Sequence, residues 1–261
     1  MSTNGLLRPG ALAPRPGAAS YPRMVAAQLL LELRLTMRNG EQLLLNLIIP
    51  ILLTVVLVSQ PIIETGGGSR AGFLVPGVLA LAVMSAAFTG QAIATGFERK
   101  YGVLRRLAVT ALPRSALLIG KTGAVACVEV VQIAVIALVG LAVGWHPHGS
   151  PLPVAGLVIL GTAAFAGLAL LIAGSLRAEA TLAVANVVWF LLLFCGGVVF
   201  PLSKFPGTAA AVLGYLPTAA LAHGLRAVLR DGHGVPAHDW LTLAGWAIVS
   251  LTAAARFFRW D

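Results

Sequence analysis

The chain has 261 residues, of which 58% are hydrophobic and only 10% charged, and its mean hydropathy is +0.91. Soluble domains carry about 25% charged residues, so this composition excludes a large soluble domain and predicts an all-α polytopic membrane protein. The net charge of +9 would suit a nucleic-acid partner, but the cations lie where the positive-inside rule places them, and we therefore predict no nucleic-acid binding.

The N-terminal region divides into a proline-rich segment and an amphipathic one. Residues 1–22 combine several prolines with Gly, Ala and Ser, which predicts a disordered tail. Arg23–Asn39 has an apolar face and a polar face that contains Gln28 and Glu32. We predict that it forms a helix lying on the cytoplasmic leaflet; the alternative is an N-terminal extension of the first span.

Six apolar runs are predicted to span the membrane: Leu43–Val58, Phe73–Thr95, Leu117–Val143, Val154–Ser175, Thr181–Phe200 and Trp240–Ala255. Before the last run, Thr208–Leu225 is too interrupted to span cleanly, and we predict short re-entrant helices in the outer leaflet. With the N terminus inside, fourteen of the eighteen Lys and Arg residues fall on the cytoplasmic side. Both termini are therefore predicted to be cytoplasmic.

One loop, Phe97–Lys121, carries six of those eighteen cations against a single carboxylate. Each Lys or Arg costs ~2.5–3.5 kcal/mol at the bilayer centre, and roughly 15 kcal/mol for six excludes a membrane location. The loop is thus predicted to be aqueous and cytoplasmic. Its apolar residues, from Phe97 to Leu112, recur at three- and four-residue steps, which predicts a short amphipathic helix that Pro113 ends and that is suited to docking a cytoplasmic partner.

Polar residues inside the predicted spans are candidates for a translocation path. Glu129 lies midway along the third span, with Gln132 one turn further on, and Asn186 lies in the fifth span. Glu129 could pair with a cation, bind a cationic substrate, or hydrogen-bond in its protonated form between helices; simple helix packing is the alternative for all three residues. No nucleophile, metal-ligand pair or pair of catalytic carboxylates is visible, so we predict neither a catalytic residue nor a cofactor.

Two sequence patterns resemble a known family. The first combines Glu98-Arg99-Lys100, Gly102, Leu104, Leu107, Leu112-Pro113 and Gly120-Lys121. It resembles the cytoplasmic loop of type-2 ATP-binding-cassette (ABC) exporter permeases, with the daunorubicin-resistance permeases as the nearest subgroup. The second combines Gly196–Leu202, Leu216-Pro217-Thr218 and His223-Gly224-Leu225-Arg226, and it resembles the fifth span and the returning helices of the same family.

The resemblance implies a transporter transmembrane domain over residues 23–261 of the chain. It implies a dimer with a second permease copy or a paralogue, two copies of a separate cytoplasmic ATPase subunit, and export of a lipophilic drug-like or lipid-type substrate across the cell membrane. Arg23–Asn39 would be the connecting helix and Glu98–Leu112 the coupling helix that docks on the ATPase.

The same resemblance assigns roles to individual residues. The coupling residues would be Glu98, Arg99, Gly102, Leu104, Arg105 and Arg106. In such an exporter, the polar residues found above inside the spans, Glu129, Gln132 and Asn186, would line the translocation path. Many relatives carry an acidic residue where this chain has Arg105-Arg106, so the ATPase is expected to present a more acidic cleft. The alternative function is a stand-alone secondary transporter or channel that uses Glu129 as a proton or cation site. A membrane-embedded enzyme is disfavoured because no catalytic set is visible.

Overall fold

The computed structural model describes residues 17–60 and 69–258, so most of the predicted tail at 1–22 lies outside the described residues. The regular elements of the described part are all helices. They are α1 (Tyr21–Arg38), α2 (Gly40–Ser59), α3 (Arg70–Met84), α4 (Gln91–Lys100), α5 (Val103–Ala108), α6 (Arg114–Ala142), α7 (Pro151–Ser175), α8 (Ala178–Cys195), α9 (Gly207–Leu213), α10 (Pro217–Leu229) and α11 (Ala237–Phe257). A π-helical turn, Ser85–Gly90, joins α3 to α4. The all-helical prediction is confirmed for these residues.

Several of these helices are long and apolar enough to cross a membrane. Among the described residues, five helical stretches pass this test alone: Arg70–Lys100, α6, α7, α8 and α11. Two further pairs pass only when joined across a bend, α1 with Leu43–Ser59 at 70° and α9 with α10 at 91°. The chain is therefore a multi-pass membrane protein, while the number of six spans and the side of each terminus stay predictions.

Two predicted helix boundaries are wrong, and glycine explains both. The fifth span was expected to reach Phe200, but α8 ends at Cys195 because Gly196 and Gly197 follow it and Gly197 has a φ of +67°. The coupling helix was expected to be continuous from Glu98 to Leu112. Instead the chain breaks at Gly102, whose φ of +73° is favourable only for glycine. Glu98 and Arg99 consequently belong to the end of α4.

The long helices pack around α3, whose residues from Ala71 to Met84 are all buried. At one end of the bundle, Leu104 of α5 forms an apolar cluster with Leu117 of α6, Leu170 of α7 and Phe258 after α11. At the opposite end, the backbone N–H of His148 in the α6–α7 turn donates to the carbonyl of Leu229 in α10, at 3.0 Å. These are called the α5 end and the α10 end below.

The segment between α8 and α11 leaves and returns at the α10 end. Arg226 of α10 donates to the carbonyl of Gly197, just after α8, and His223 lies 2.8 Å from Asp239 in the first turn of α11. Nearly every residue of α10 is buried, so this short helix is covered by protein. This geometry fits the predicted re-entrant helices, which begin and end close to the expected 208–225.

Candidate coupling face and translocation cleft

Helix α5 is a short platform that is fixed to the bundle on one side and open on the other. Leu104 is fully buried in the cluster at the α5 end, whereas Arg105 and Arg106 are exposed. Val109, directly after α5, is 86% exposed, and Tyr101, two residues before α5, is 67% exposed. The exposed side therefore combines two guanidinium groups with an aromatic and an aliphatic side chain, the mixture found at protein–protein contacts.

A buried ion cluster lies behind this platform. The Lys121 ammonium, only 4% exposed, is 2.8 Å from the Glu32 carboxylate of α1 and 2.6 Å from that of Glu98 of α4. Gln28 donates to the same Glu32 oxygen at 2.7 Å. Three separate helices are thereby joined through one cation, because a buried ammonium requires nearby carboxylates.

This cluster corrects the prediction for α1. Gln28 and Glu32 were assigned to a face turned away from the apolar side, but Gln28 is buried against α6, while Leu30 and Met37 are 51% and 58% exposed. A side chain at Gly120 would meet Gln28 at 2.6 Å, so the glycine is what lets α1 approach α6 so closely. Gln28 and Glu32 of α1 thus face protein, together with Leu29, which packs against Gly123 of α6, whereas Leu30 and Met37 face outwards.

The remaining cations at the end of α4 also contact the bundle. The Arg99 guanidinium donates to the carbonyls of Ala173 and Leu176 at the end of α7, at 3.0 and 3.2 Å. These are carbonyls that the helix cannot satisfy itself, and a cation there also interacts favourably with the helix dipole. Lys100 forms an exposed ion pair with Glu179 at the start of α8.

The six predicted coupling residues therefore separate into two groups. Glu98, Arg99 and Leu104 face the chain's own bundle, and Gly102 forms the turn between α4 and α5 that sets the direction of α5. Only Arg105 and Arg106 are fully available to a partner. Tyr101 and Val109 were not among the predicted residues, although their position beside the arginines on an aqueous loop was a signal for them.

A cleft of ≈ 340 Å³ opens between α2, the π-helical turn and α8. Its apolar wall includes Ile49, Leu53 and Phe190, and its polar groups include Asn46, Gln132 and Asn186. The Trp189 indole N–H donates to the Ser85 hydroxyl at 2.9 Å, and the Gln132 side-chain amide donates to the backbone carbonyl of Asn46 at 2.6 Å. Two of the three residues predicted for a translocation path are thus brought together here.

Glu129 lies elsewhere, fully buried between α6 and α7 with its carboxyl group against the Thr162 hydroxyl. That hydroxyl also lies 2.8 Å from the Val158 carbonyl, and a hydroxyl has one hydrogen to donate. The second Glu129 oxygen has no partner among the described residues. This geometry fits helix packing, which was one of the interpretations left open for Glu129.

At the α10 end, Arg226 forms a clamp made of backbone acceptors. Its guanidinium donates to the carbonyls of Phe73, Gly197 and Val198 at 3.1, 2.6 and 2.8 Å, and it stacks 3.8 Å from the centroid of the Phe73 ring. The clamp joins α10 to the start of α3 and to the turn after α8. The sequence analysis named Arg226 only as part of a motif and predicted no contacts for it.

A comparison with protein families adds an independent finding. Residues 64–256, well over half of the chain, match the model of the family described as ABC-2 family transporter protein. The matched region begins before α3 and extends through most of α11, so it includes the platform, the clamp and the α8 wall of the cleft, while the α2 wall lies outside it. No curated protein matches the chain.

Proposed function

Because the chain belongs to the ABC-2 family of transporter proteins, it is a membrane component of an ABC transporter, and we propose that it is the permease subunit of an ATP-driven exporter. In this proposal it dimerises, and each copy binds a separate cytoplasmic ATPase subunit. The daunorubicin-resistance-like subgroup and a lipophilic drug-like or lipid-type substrate are part of the same proposal.

The observation that carries the proposal is the construction of the α5 platform. Its exposed side is basic and partly apolar, while Leu104 packs its other side against α6, α7 and the end of α11. The ion cluster joins α4, which leads into α5, to α1 and α6. A partner that pushes on Arg105 and Arg106 would therefore move several helices together. Such rigid-body transmission is one of the established forms of conformational coupling.

The cleft supports the proposed dimer. It lies between α2 and α8, and exposed apolar side chains of both helices surround it, such as Ile48, Leu52 and Phe194. Its amides at Asn46, Gln132 and Asn186 are poorly suited to lipid tails. A second copy that covers this face would enclose these amides in a path between the two subunits.

Charge reversal on the platform tests the proposed coupling. The double variant Arg105→Glu, Arg106→Glu is expected to insert and fold normally, because both side chains are exposed. It should lose affinity for the ATPase by roughly tenfold or more, since like charges would now face the acidic partner surface. The measurement is ATP hydrolysis and substrate efflux in proteoliposomes that contain permease and ATPase.

The matched control is Arg177→Glu, an exposed arginine in the α7–α8 turn outside the platform. It should leave hydrolysis and efflux close to wild type. Normal efflux by the double variant would reject the assigned platform. Transport by the permease alone under a proton gradient would instead favour the stand-alone secondary transporter.

A further inference from the structure

A small polar chamber lies beside the cleft, between α1, α2, α4 and α6. It has a volume of ≈ 90 Å³, and its polar lining is formed by Glu32, Thr36, Asn46, Gln91, Thr95 and Lys121. This is space for several water molecules or for one small polar group. Asn46 and Gly90 line both cavities, so the chamber and the cleft adjoin.

Two of the residues that line the chamber have buried polar side-chain atoms without a protein partner among the described residues. These atoms are both side-chain amide atoms of Gln91 and the hydroxyl oxygen of Thr95. Gln91 is 5% exposed and Thr95 is fully buried. Buried polar atoms in folded proteins are nearly always hydrogen-bonded, and an exception in a cavity points to bound water or a ligand.

The charged groups of the chamber indicate which ligand would fit. Lys121 and Glu32 are already paired with each other, and Lys121 is also paired with Glu98. The available atoms are therefore neutral: an amide N–H₂, an amide carbonyl and a hydroxyl. A charged head group would lose its hydration without gaining a counterion, whereas an uncharged amide or hydroxyl would find both donors and acceptors.

The adjoining cleft indicates the rest of the ligand. Its ≈ 340 Å³ falls in the size range of small-molecule pockets, roughly 300–1,000 Å³, which are mostly apolar with a few placed polar groups. Trp189 and Phe190 supply flat apolar surface there. An apolar body in the cleft and a polar head in the chamber would use both cavities at once.

We propose that the chamber and the cleft together bind the transported substrate as an amphiphile with an uncharged, hydrogen-bonding head. The head lies against Gln91 and Thr95, and the apolar body lies against Trp189 and Phe190. This inference rests on the proposed function in one respect: it takes the bound amphiphile to be the substrate that the permease transports.

Three dansyl-labelled octyl probes with different ends test the proposal on the full chain in lipid nanodiscs, without an ATPase. They end in a primary amide (8-(dansylamino)octanamide), a carboxylate (8-(dansylamino)octanoate) and an ammonium group (N-dansyl-1,8-diaminooctane). Dansyl fluorescence, corrected with empty nanodiscs, gives each Kd. We expect the amide to bind roughly tenfold more tightly than either charged probe. Equal or tighter binding of a charged probe would overturn the assigned head group.

Two variants locate the site. Gln91→Leu and Thr95→Val each remove hydrogen-bonding atoms from the chamber and should weaken amide binding by roughly tenfold. Thr95→Val preserves the shape of the side chain and decides the question if Gln91→Leu does not fold. Gln60→Leu, at an exposed position after α2, is the matched control and should bind like wild type.

An amide preference that survives Thr95→Val would overturn the placement in the chamber. Because binding is measured without the ATPase, a failure here leaves the coupling experiment intact. Conversely, if the Arg105→Glu, Arg106→Glu variant contradicts the proposed coupling, the probe-binding result can still be interpreted.

Discussion

The two ends of the bundle each enclose a cation, Lys121 buried and Arg226 half-buried, but they satisfy it in different ways. At the α5 end, Lys121 lies between two carboxylates from α1 and α4. At the α10 end, Arg226 is held by three backbone carbonyls and an aromatic ring. Charge balance therefore governs the first end, whereas the second depends on the shape of the backbone that presents the carbonyls.

The largest effect is expected from Lys121→Met, which keeps the length of the side chain and removes its charge. Glu32 and Glu98 would then face each other in a mostly buried site without a counterion. Removing one partner of a buried ion pair costs about 3–5 kcal/mol. The free energy of unfolding, measured by SDS titration in mixed micelles, should fall by this amount.

The control for this prediction is the triple variant Lys121→Met, Glu32→Gln, Glu98→Gln, which removes all three charges. It should recover most of the lost stability, because a neutral set has no uncompensated charge. If the triple variant is as unstable as Lys121→Met alone, the shape of the lysine and not its charge holds this end together.

A smaller loss, about 3 kcal/mol, is expected from Arg226→Gln. The amide can replace one of the three hydrogen bonds, and the two lost bonds contribute about 1.5 kcal/mol each, the low end for a charged donor, because Arg226 is half-buried. Gly77→Ala should act on the same clamp. A Cβ at Gly77 would lie 2.8 Å from a guanidinium nitrogen of Arg226 and 2.9 Å from the Val198 carbonyl oxygen. Such overpacking costs about 1–3 kcal/mol.

The two changes at the clamp should not be additive, because the alanine acts by displacing the guanidinium that the other change removes. A double-mutant cycle on the free energy of unfolding measures this. Simple additivity of Arg226→Gln and Gly77→Ala would show that Gly77 and Arg226 stabilise the α10 end independently.

The contrast between the ends also explains what the sequence could predict. Hydropathy identified the helical membrane fold, and the cost of transferring cations into lipid predicted the basic loop. This reasoning did not predict that Lys121, one of the six cations, is buried in α6 beside Glu32 and Glu98. The exposure of Arg105 and Arg106 followed from the same reasoning. The clamp could not be predicted, since carbonyl acceptors leave no signature in side-chain chemistry.

Two further features depended on tertiary contacts. The polar stripe of α1 was assigned to the wrong environment because a helical wheel cannot show that Lys121 lies opposite Glu32. Glu129 and Gln132 were grouped as neighbours on α6, yet a three-residue step leaves side chains about 60° apart around a helix. That angle is enough to turn Glu129 towards α7 and Gln132 towards α2.

The smallest effect is expected at the exposed pair between Lys100 and Glu179. Lys100→Ala should leave the free energy of unfolding of the isolated permease unchanged within error, because water screens exposed pairs and competes for their charges. The pair uses the same chemical groups as the Lys121 cluster, so the comparison isolates the effect of burial. A loss close to that of Lys121→Met would contradict this explanation, since it would mean that the pair is covered, for example by a second copy of the chain. Repeating the measurement at several protein concentrations would then distinguish a covered pair from a buried one, because only the former depends on association.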